Sequence, residues 1–157
     1  MPDLAPAAPP LPPLPVVFRP RRARIVPLVL AVLVFALVTA VAMILPGGPR
    51  GFGVVDRLGV FAVGAIVAGF LCVMARPRLV AEENGLTVVN LLHTRILEWP
   101  EVVRVGFRRG DPWVLLDLAD GDTLAVMAIQ ANDGDRALRS VRTLRALVAA
   151  HAGSEPK

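Results

Sequence analysis

Residues 25–45 read IVPLVLAVLVFALVTAVAMIL, 21 residues in succession without a charge. As an α-helix at about 1.5 Å per residue they reach about 31 Å, which matches a hydrocarbon core of about 30 Å. Pro27 falls in the expected first turn, where a missing N–H costs little. Thr39 is the only polar side chain of the run and can bond back to its own helix. Downstream, residues 58–75 read LGVFAVGAIVAGFLCVMA, a second uncharged run of 18. Between them PGGPRGFGVVDR, residues 46–57, carries two prolines, four glycines and three charges and reads as a loop. The pattern predicts two transmembrane helices, 25–45 and 58–75, joined into a hairpin by an external loop at 46–57.

Small residues give the hairpin a packing face. Gly64 and Ala68, and Ala65 and Gly69, recur four apart on the second run, as Ala36 and Ala40 do on the first. This spacing lets helix backbones approach closely in lipid. The face packs either on the chain's own first helix, which the hairpin favours, or on a second copy in a homo-oligomer. Arginines set the orientation. Arg19, Arg21, Arg22 and Arg24 precede the first run and Arg76 and Arg78 follow the second, against Arg50 and Arg57 in the loop. Basic residues stay inside, so both termini are expected in the cytoplasm and the protein in the plasma (inner) membrane. A signal peptide cleaved near Ala40-Val41-Ala42 is the rival reading. The unbroken run and the long segment ahead of it argue against cleavage, and the second run would in any case stop transfer.

That leading segment, residues 1–24, is proline-rich with a basic flank. Residues 1–20 hold 8 of the 15 prolines. Proline fixes φ and removes a donor, so an extended, polyproline-like cytoplasmic tail without a core is expected.

Composition narrows the rest. The 157 residues are 55% hydrophobic and 19% charged, against roughly 45–50% and 25% in soluble domains. Cys72 is the one cysteine and there are two histidines, which excludes an internal disulfide and leaves little for a Cys/His metal site. The net charge of +4 is uneven. Residues 1–78 carry eight arginines against Asp3 and Asp56, whereas residues 79–157 carry nine basic and eleven acidic groups. A nucleic-acid binder places its positive charge on the folded domain; here that domain is mildly acidic, so no nucleic-acid partner is expected.

The cytoplasmic part, residues 76–157, alternates β-prone runs with turn signals. Strands are expected at 78–82, 86–92, 93–99, 102–109, 113–118 and 123–129, punctuated by Asn84-Gly85, Pro100, Gly110-Asp111-Pro112 and Asp120-Gly121. In 102–109, Val103, Val105 and Phe107 alternate with Arg104 and Arg108, the period of a half-buried strand. From Asn132 the period changes. Ala137, Leu138, Val141, Leu144 and Val148 recur at helical spacing through Ala150, with Gly153 as the stop. The class is α+β: about six antiparallel strands and one capping helix.

RPRLVAEENGLTVVN (76–90), RILEWPEVVRVGF (95–107) and WVLLDLADGDTLAV (113–126), set after two membrane runs and before a closing helix, resemble the actinobacterial membrane proteins that carry a bacterial PH-like domain, the low-molecular-weight antigen 6 type among them. The resemblance covers about residues 25–150. It implies a PH-like antiparallel β-barrel or sandwich capped by the C-terminal helix, and no enzymatic activity. In PH domains that bind phosphoinositides a basic cluster near the first hairpin holds the phosphates. The corresponding turn here is Glu82-Glu83-Asn84-Gly85, which repels them.

No catalytic residues, cofactor or metal are expected. Asp117, Asp120 and Asp122 lack the spacing of a calcium loop. His93 and Ser140 have no nucleophile–base setting. The candidate interaction surface is Arg104, Arg108, Arg109 and Trp113; Trp99 reads as core. The expected function is non-enzymatic: a membrane protein, in contact with lipid through its two helices, that presents a PH-like domain to a protein partner. The alternative is a structural or assembly subunit of a larger membrane complex, acting through the helices.

Overall fold

Among the described residues seven strands build the sheet domain, not six, and the additional one comes from the proline-rich segment. The computed structural model describes residues 11–47 and 51–151. In it Val16–Phe18 forms β1 and pairs antiparallel with β2, Arg78–Glu82, placing Phe18 opposite Leu79. For residues 16–18 the expected coreless tail is thereby corrected; residues 1–10 of it lie outside the described residues. Val-Val-Phe is β-branched and aromatic, which suits a pleated surface. Pro15 and Pro20 beside it limit it to a short edge strand. Phe18 is buried in the core, with Leu14 and Val16 packed against it. One compact unit thus takes the chain up to Arg19 and again from Arg78, and the second is Pro20–Pro77. The helical pair is an insertion in the first β-hairpin of the sheet domain.

The first sheet has the order β1-β2-β3-β4, with β3 at Gly85–Val89 and β4 at Thr94–Glu98. The second is β5-β6-β7: Val102–Gly106, Trp113–Leu118 and Thr123–Gln130. All pairings are antiparallel and the two sheets remain separate, a sandwich and not a closed barrel. The turn into β3 requires glycine. Gly85 has φ +155° and a Cβ there would collide with the Leu97 carbonyl of β4. Helix α3, Asp135–His151, lays Ala137, Val141, Leu144, Leu147 and Val148 into the core shared with Leu79, Leu86, Leu97, Leu116 and Val126. The expected stop, Gly153, lies outside the described residues.

Two alternations fail for local reasons. A bulge in β5 sets Val102 opposite Leu118 but Arg104 opposite Asp117, leaving Val103 as the extra residue. Val102 and Val105 are therefore buried and Val103 is exposed, against the expected grouping of Val103 with Val105 and Phe107. The run 86–92 stops at Val89 because Asn90 closes a turn, its N–H bonded to the His93 carbonyl at 2.9 Å.

Trp99 ties the domain's ends together. It is 3% exposed, its Nε1–H donates to the Glu82 and Glu83 carbonyls at 3.1 and 3.0 Å, and its ring stacks on His151 with centroids 4.4 Å apart.

In the helical unit α1 spans Arg22–Ile44 and α2 spans Val54–Met74, both long and apolar enough to cross a membrane. In their most apolar stretches only 11% of α1 and 6% of α2 is buried, unlike the core helices of a soluble protein. Pro27 lies inside α1, one turn deeper than expected, because the helix begins at Arg22. The connection is shorter than 46–57. The Asp56 carboxylate accepts from the Gly53 N–H at 2.8 Å and starts α2 at Val54. Arg57 then donates to the Ala42 and Leu45 carbonyls at 2.7 and 3.0 Å, satisfying the end of α1. Thr39 does not bond back to its helix; its buried Oγ1 has no hydrogen-bond partner among the described residues.

The seam between α1 and α2 is narrower than the small-residue spacing implied. Gly64 is buried, and a Cβ on it would lie 2.8 Å from Val38 Cγ1. On α1 the buried small residues are Ala31 and Ala42, seven and four positions from Val38. Ala36, Ala40, Ala65 and Gly69 are exposed and Ala68 is half-buried. Ala36, five residues past Ala31, has rotated about 140° away from it. Gly64→Leu is expected to disrupt the pair, whereas Gly69→Leu, where nothing lies within 4 Å, is expected to be tolerated within the chain. The yield of a disulfide between one cysteine on α1 and one on the facing side of α2, in protein carrying Cys72→Ala, before and after each change, measures this.

Candidate functional site

Cross-strand register, not sequence adjacency, decides what the arginines do. Arg104 faces Asp117 across β5 and β6 and pairs with it, Nε to Oδ2 at 3.2 Å. Arg108 and Arg109 lie past the end of β5 in an exposed turn closed by Asp111, whose carboxylate accepts the Arg108 N–H at 2.7 Å. Trp113 opens β6 opposite Gln130 and is half-buried. The expected four-residue surface therefore divides. Arg108 and Arg109 flank an open groove of about 390 Å³ floored by Phe107, Ala131 and Leu138, with Asp111 and Asp135 on its rim. Arg104 and Trp113 do not line it.

The sheet edges are more informative. Antiparallel sheets expose unpaired N–H and C=O groups at their outer strands, and proteins usually block them. At β7 the Asn90 side chain takes a strand's place: its Nδ2 donates to the Ala125 carbonyl at 2.7 Å and its Oδ1 accepts the Met127 N–H at 3.1 Å. At β5, Arg145 of α3 donates from Nε to the Val105 carbonyl at 3.1 Å. The edge strand β1 is three residues long and bounded by prolines. Only β4 has none of these protections among the described residues. Its backbone pairs with β3 alone, and Ile96 at its centre is 76% exposed.

Sequence reasoning passed over Asn90 and Arg145. Asn90 lay inside an apolar run read as strand, although asparagine is a turn residue. Arg145 is one of four arginines on α3, and which of them meets a strand depends on helix rotation.

Among the described residues no three His, Cys, Asp or Glu side chains gather as a metal site would need. Asp120 and Asp122 are engaged with Arg95 of β4 at 3.2 and 3.9 Å, which links the β6–β7 turn to the first sheet.

A four-plus-three sandwich capped by a C-terminal helix, interrupted by two helices long enough to cross a membrane, defines a PH-like module on a helical hairpin. The chain belongs to the bacterial PH domain family, whose model matches residues 76–147, from just ahead of β2 into α3 and without β1. It is 40% identical over 136 residues to an uncharacterized protein of Mycobacterium tuberculosis, covering 85% of this chain and 88% of the relative. An uncharacterized protein of Mycobacterium bovis gives the same figures. No solved structure matches the chain.

Proposed function

We propose that this is a non-enzymatic protein of the plasma membrane whose hairpin anchors the PH-like domain on the cytoplasmic face as a protein-interaction module. The pairing of β1 with β2 carries this reading. Val16–Phe18 and Arg78–Glu82 are bonded neighbours, so the segments before and after the helical pair share one compartment, as two crossings require. Cleavage after Ala42 would remove β1 from the molecule. The six arginines on that side, against Arg50 and Arg57 at the opposite end of the helical pair, favour it as the cytoplasmic side. The unprotected edge is the binding element: an extended segment adds to β4 by main-chain hydrogen bonds, with Ile96 supplying apolar contact. Anchoring confines the encounter to the membrane plane and raises effective concentration.

A second reading, an assembly subunit, rests on a separate observation. Ala36, Ala40, Ala65 and Gly69 face outward from the helical pair, a small-residue surface that another membrane helix fits. Photo-crosslinking residues at Thr94 and at Gly69 of the full-length chain in membranes distinguish the two. The module reading expects a discrete protein adduct at Thr94 that Ile96→Lys lowers by about tenfold, since an edge lysine opposes strand addition. An adduct at Gly69 with none at Thr94 gives the assembly reading instead.

A further inference from the structure

Turns between strands are ordinarily made of Gly, Asn, Asp, Pro or Ser. The turn between β3 and β4 is tipped by two leucines. The Asn90–His93 backbone bond leaves Leu91 and Leu92 as its two central residues. Leu92 is 81% exposed, Leu91 is half-buried and His93 is exposed. The tip is firmly held, because the Asn90 side chain is bonded at both ends to β7. A lone exposed leucine is ordinary on a protein surface; this one is held rigid at a hairpin end, and where that end lies singles it out.

Strand register says where that point lies. Val89 is opposite Arg78 and Thr94, and Phe18 is opposite Leu79. The tip therefore occupies the end of the sheet at which the chain departs after Phe18 and returns at Arg78. Residues 19–21 and 75–77 are the whole of the connections to α1 and α2, at roughly 3.5 Å per residue. Charge is sorted along the same axis. Arg19 and Arg78 are exposed at the tip end, and Arg95, next to Thr94, is paired with Asp120 and Asp122. At the far end Glu82, Glu83, Glu98 and Glu101 are all exposed. An anionic leaflet attracts the first end and repels the second.

We infer that the Leu91–Leu92 tip docks into the headgroup–acyl boundary of an anionic bilayer, as a third attachment beside the two covalent connections. The ligand is the lipid surface, recognised by an apolar tip ringed with arginine, and the Glu82–Gly85 turn is directed away from it. This inference rests on the hairpin being a membrane anchor, and its test separates the two claims.

The full-length protein carrying Cys72→Ala is labelled with an environment-sensitive fluorophore at His93→Cys or, as reference, Asn84→Cys. It is placed in nanodiscs of two parts phosphatidylcholine to one part phosphatidylglycerol. The probe at 93 is expected to be blue-shifted, quenched by lipids labelled high on the acyl chain and shielded from aqueous iodide; the probe at 84 behaves oppositely. Replacing Leu91 and Leu92 together by serine is expected to bring the probe at 93 to the values of the reference, with the reference itself unchanged. A probe at 93 that iodide reaches as readily as the reference, in protein that resists alkaline extraction from vesicles, overturns the inference and leaves the anchor standing. Protein released by alkali overturns both.

Discussion

Trp99→Ala is expected to remove about 3–5 kcal/mol from the stability of the sheet domain, the range for deleting a buried aromatic. Whole domains commonly hold only about 5–15 kcal/mol, so most of the variant's margin is lost. Three contributions disappear together: the packing of a ring that is 3% exposed, the Nε1–H bonds to the Glu82 and Glu83 carbonyls, and the stack on His151. Trp99→Phe separates them. It keeps most of the ring and strands two carbonyls, a loss of about 1–3 kcal/mol. His151→Ala removes the stack alone, about 1 kcal/mol. Thermal unfolding of the detergent-solubilised chain, followed through the remaining Trp113, is expected to rank wild type above His151→Ala, then Trp99→Phe, then Trp99→Ala. A Trp99→Ala midpoint within a degree or two of wild type contradicts the role assigned to the ring.

Removing residues 1–19 is expected to be comparably damaging, although the bacterial PH domain match begins at residue 76. The edge of β2 loses its neighbour, and Leu79 and Ala81, both fully buried, lose the cover of Phe18 and Val16. Deleting a buried phenylalanine alone costs about 3–5 kcal/mol, before the lost strand bonds are counted. Phe18→Asp in the full chain tests the same contact without truncation. Hydrogen exchange at the amides of Leu79, Val80 and Ala81 reports the result: protection falls sharply in both variants and is kept in Val17→Thr, whose side chain faces outward. Unchanged protection after truncation would mean that β1 is dispensable and that six strands suffice.

The parts of the fold legible in sequence are those with punctuation on both sides. Strand β2 is bracketed by Pro77 and Asn84-Gly85 and β6 by Pro112 and Asp120-Gly121, and both begin and end where these residues put them. Strand β1 has no such signal. Three residues among prolines show no period, and their partners lie 61 to 65 positions further along the chain. The Leu91–Leu92 tip was hidden for the opposite reason, since an apolar run reads as strand until Asn90 is seen to close the turn. Helix faces were illegible too. The stripe of small residues runs along more than one side of each helix, and only the partner selects Gly64 and leaves Gly69 outside. At the candidate site, Arg104, Arg108 and Arg109 are neighbours in sequence, but β5 ends between them and register hands the first to Asp117.

The interrupted first hairpin has a consequence for biosynthesis. Strand β1 leaves the ribosome before the helical pair, and β2 follows only after residues 19–77 have been made. At about 5–20 residues per second that interval is on the order of 3–12 seconds. During it Phe18 has no sheet to join, and on the proposed topology both apolar helices emerge and enter the bilayer before the domain acquires its last-made half. A nascent chain that threads only one of them strands β1 and β2 in different compartments, and its sandwich never closes. If the helices cross the membrane as proposed, completion of the sheet domain is conditional on correct insertion, and a misthreaded copy keeps the β2 edge open.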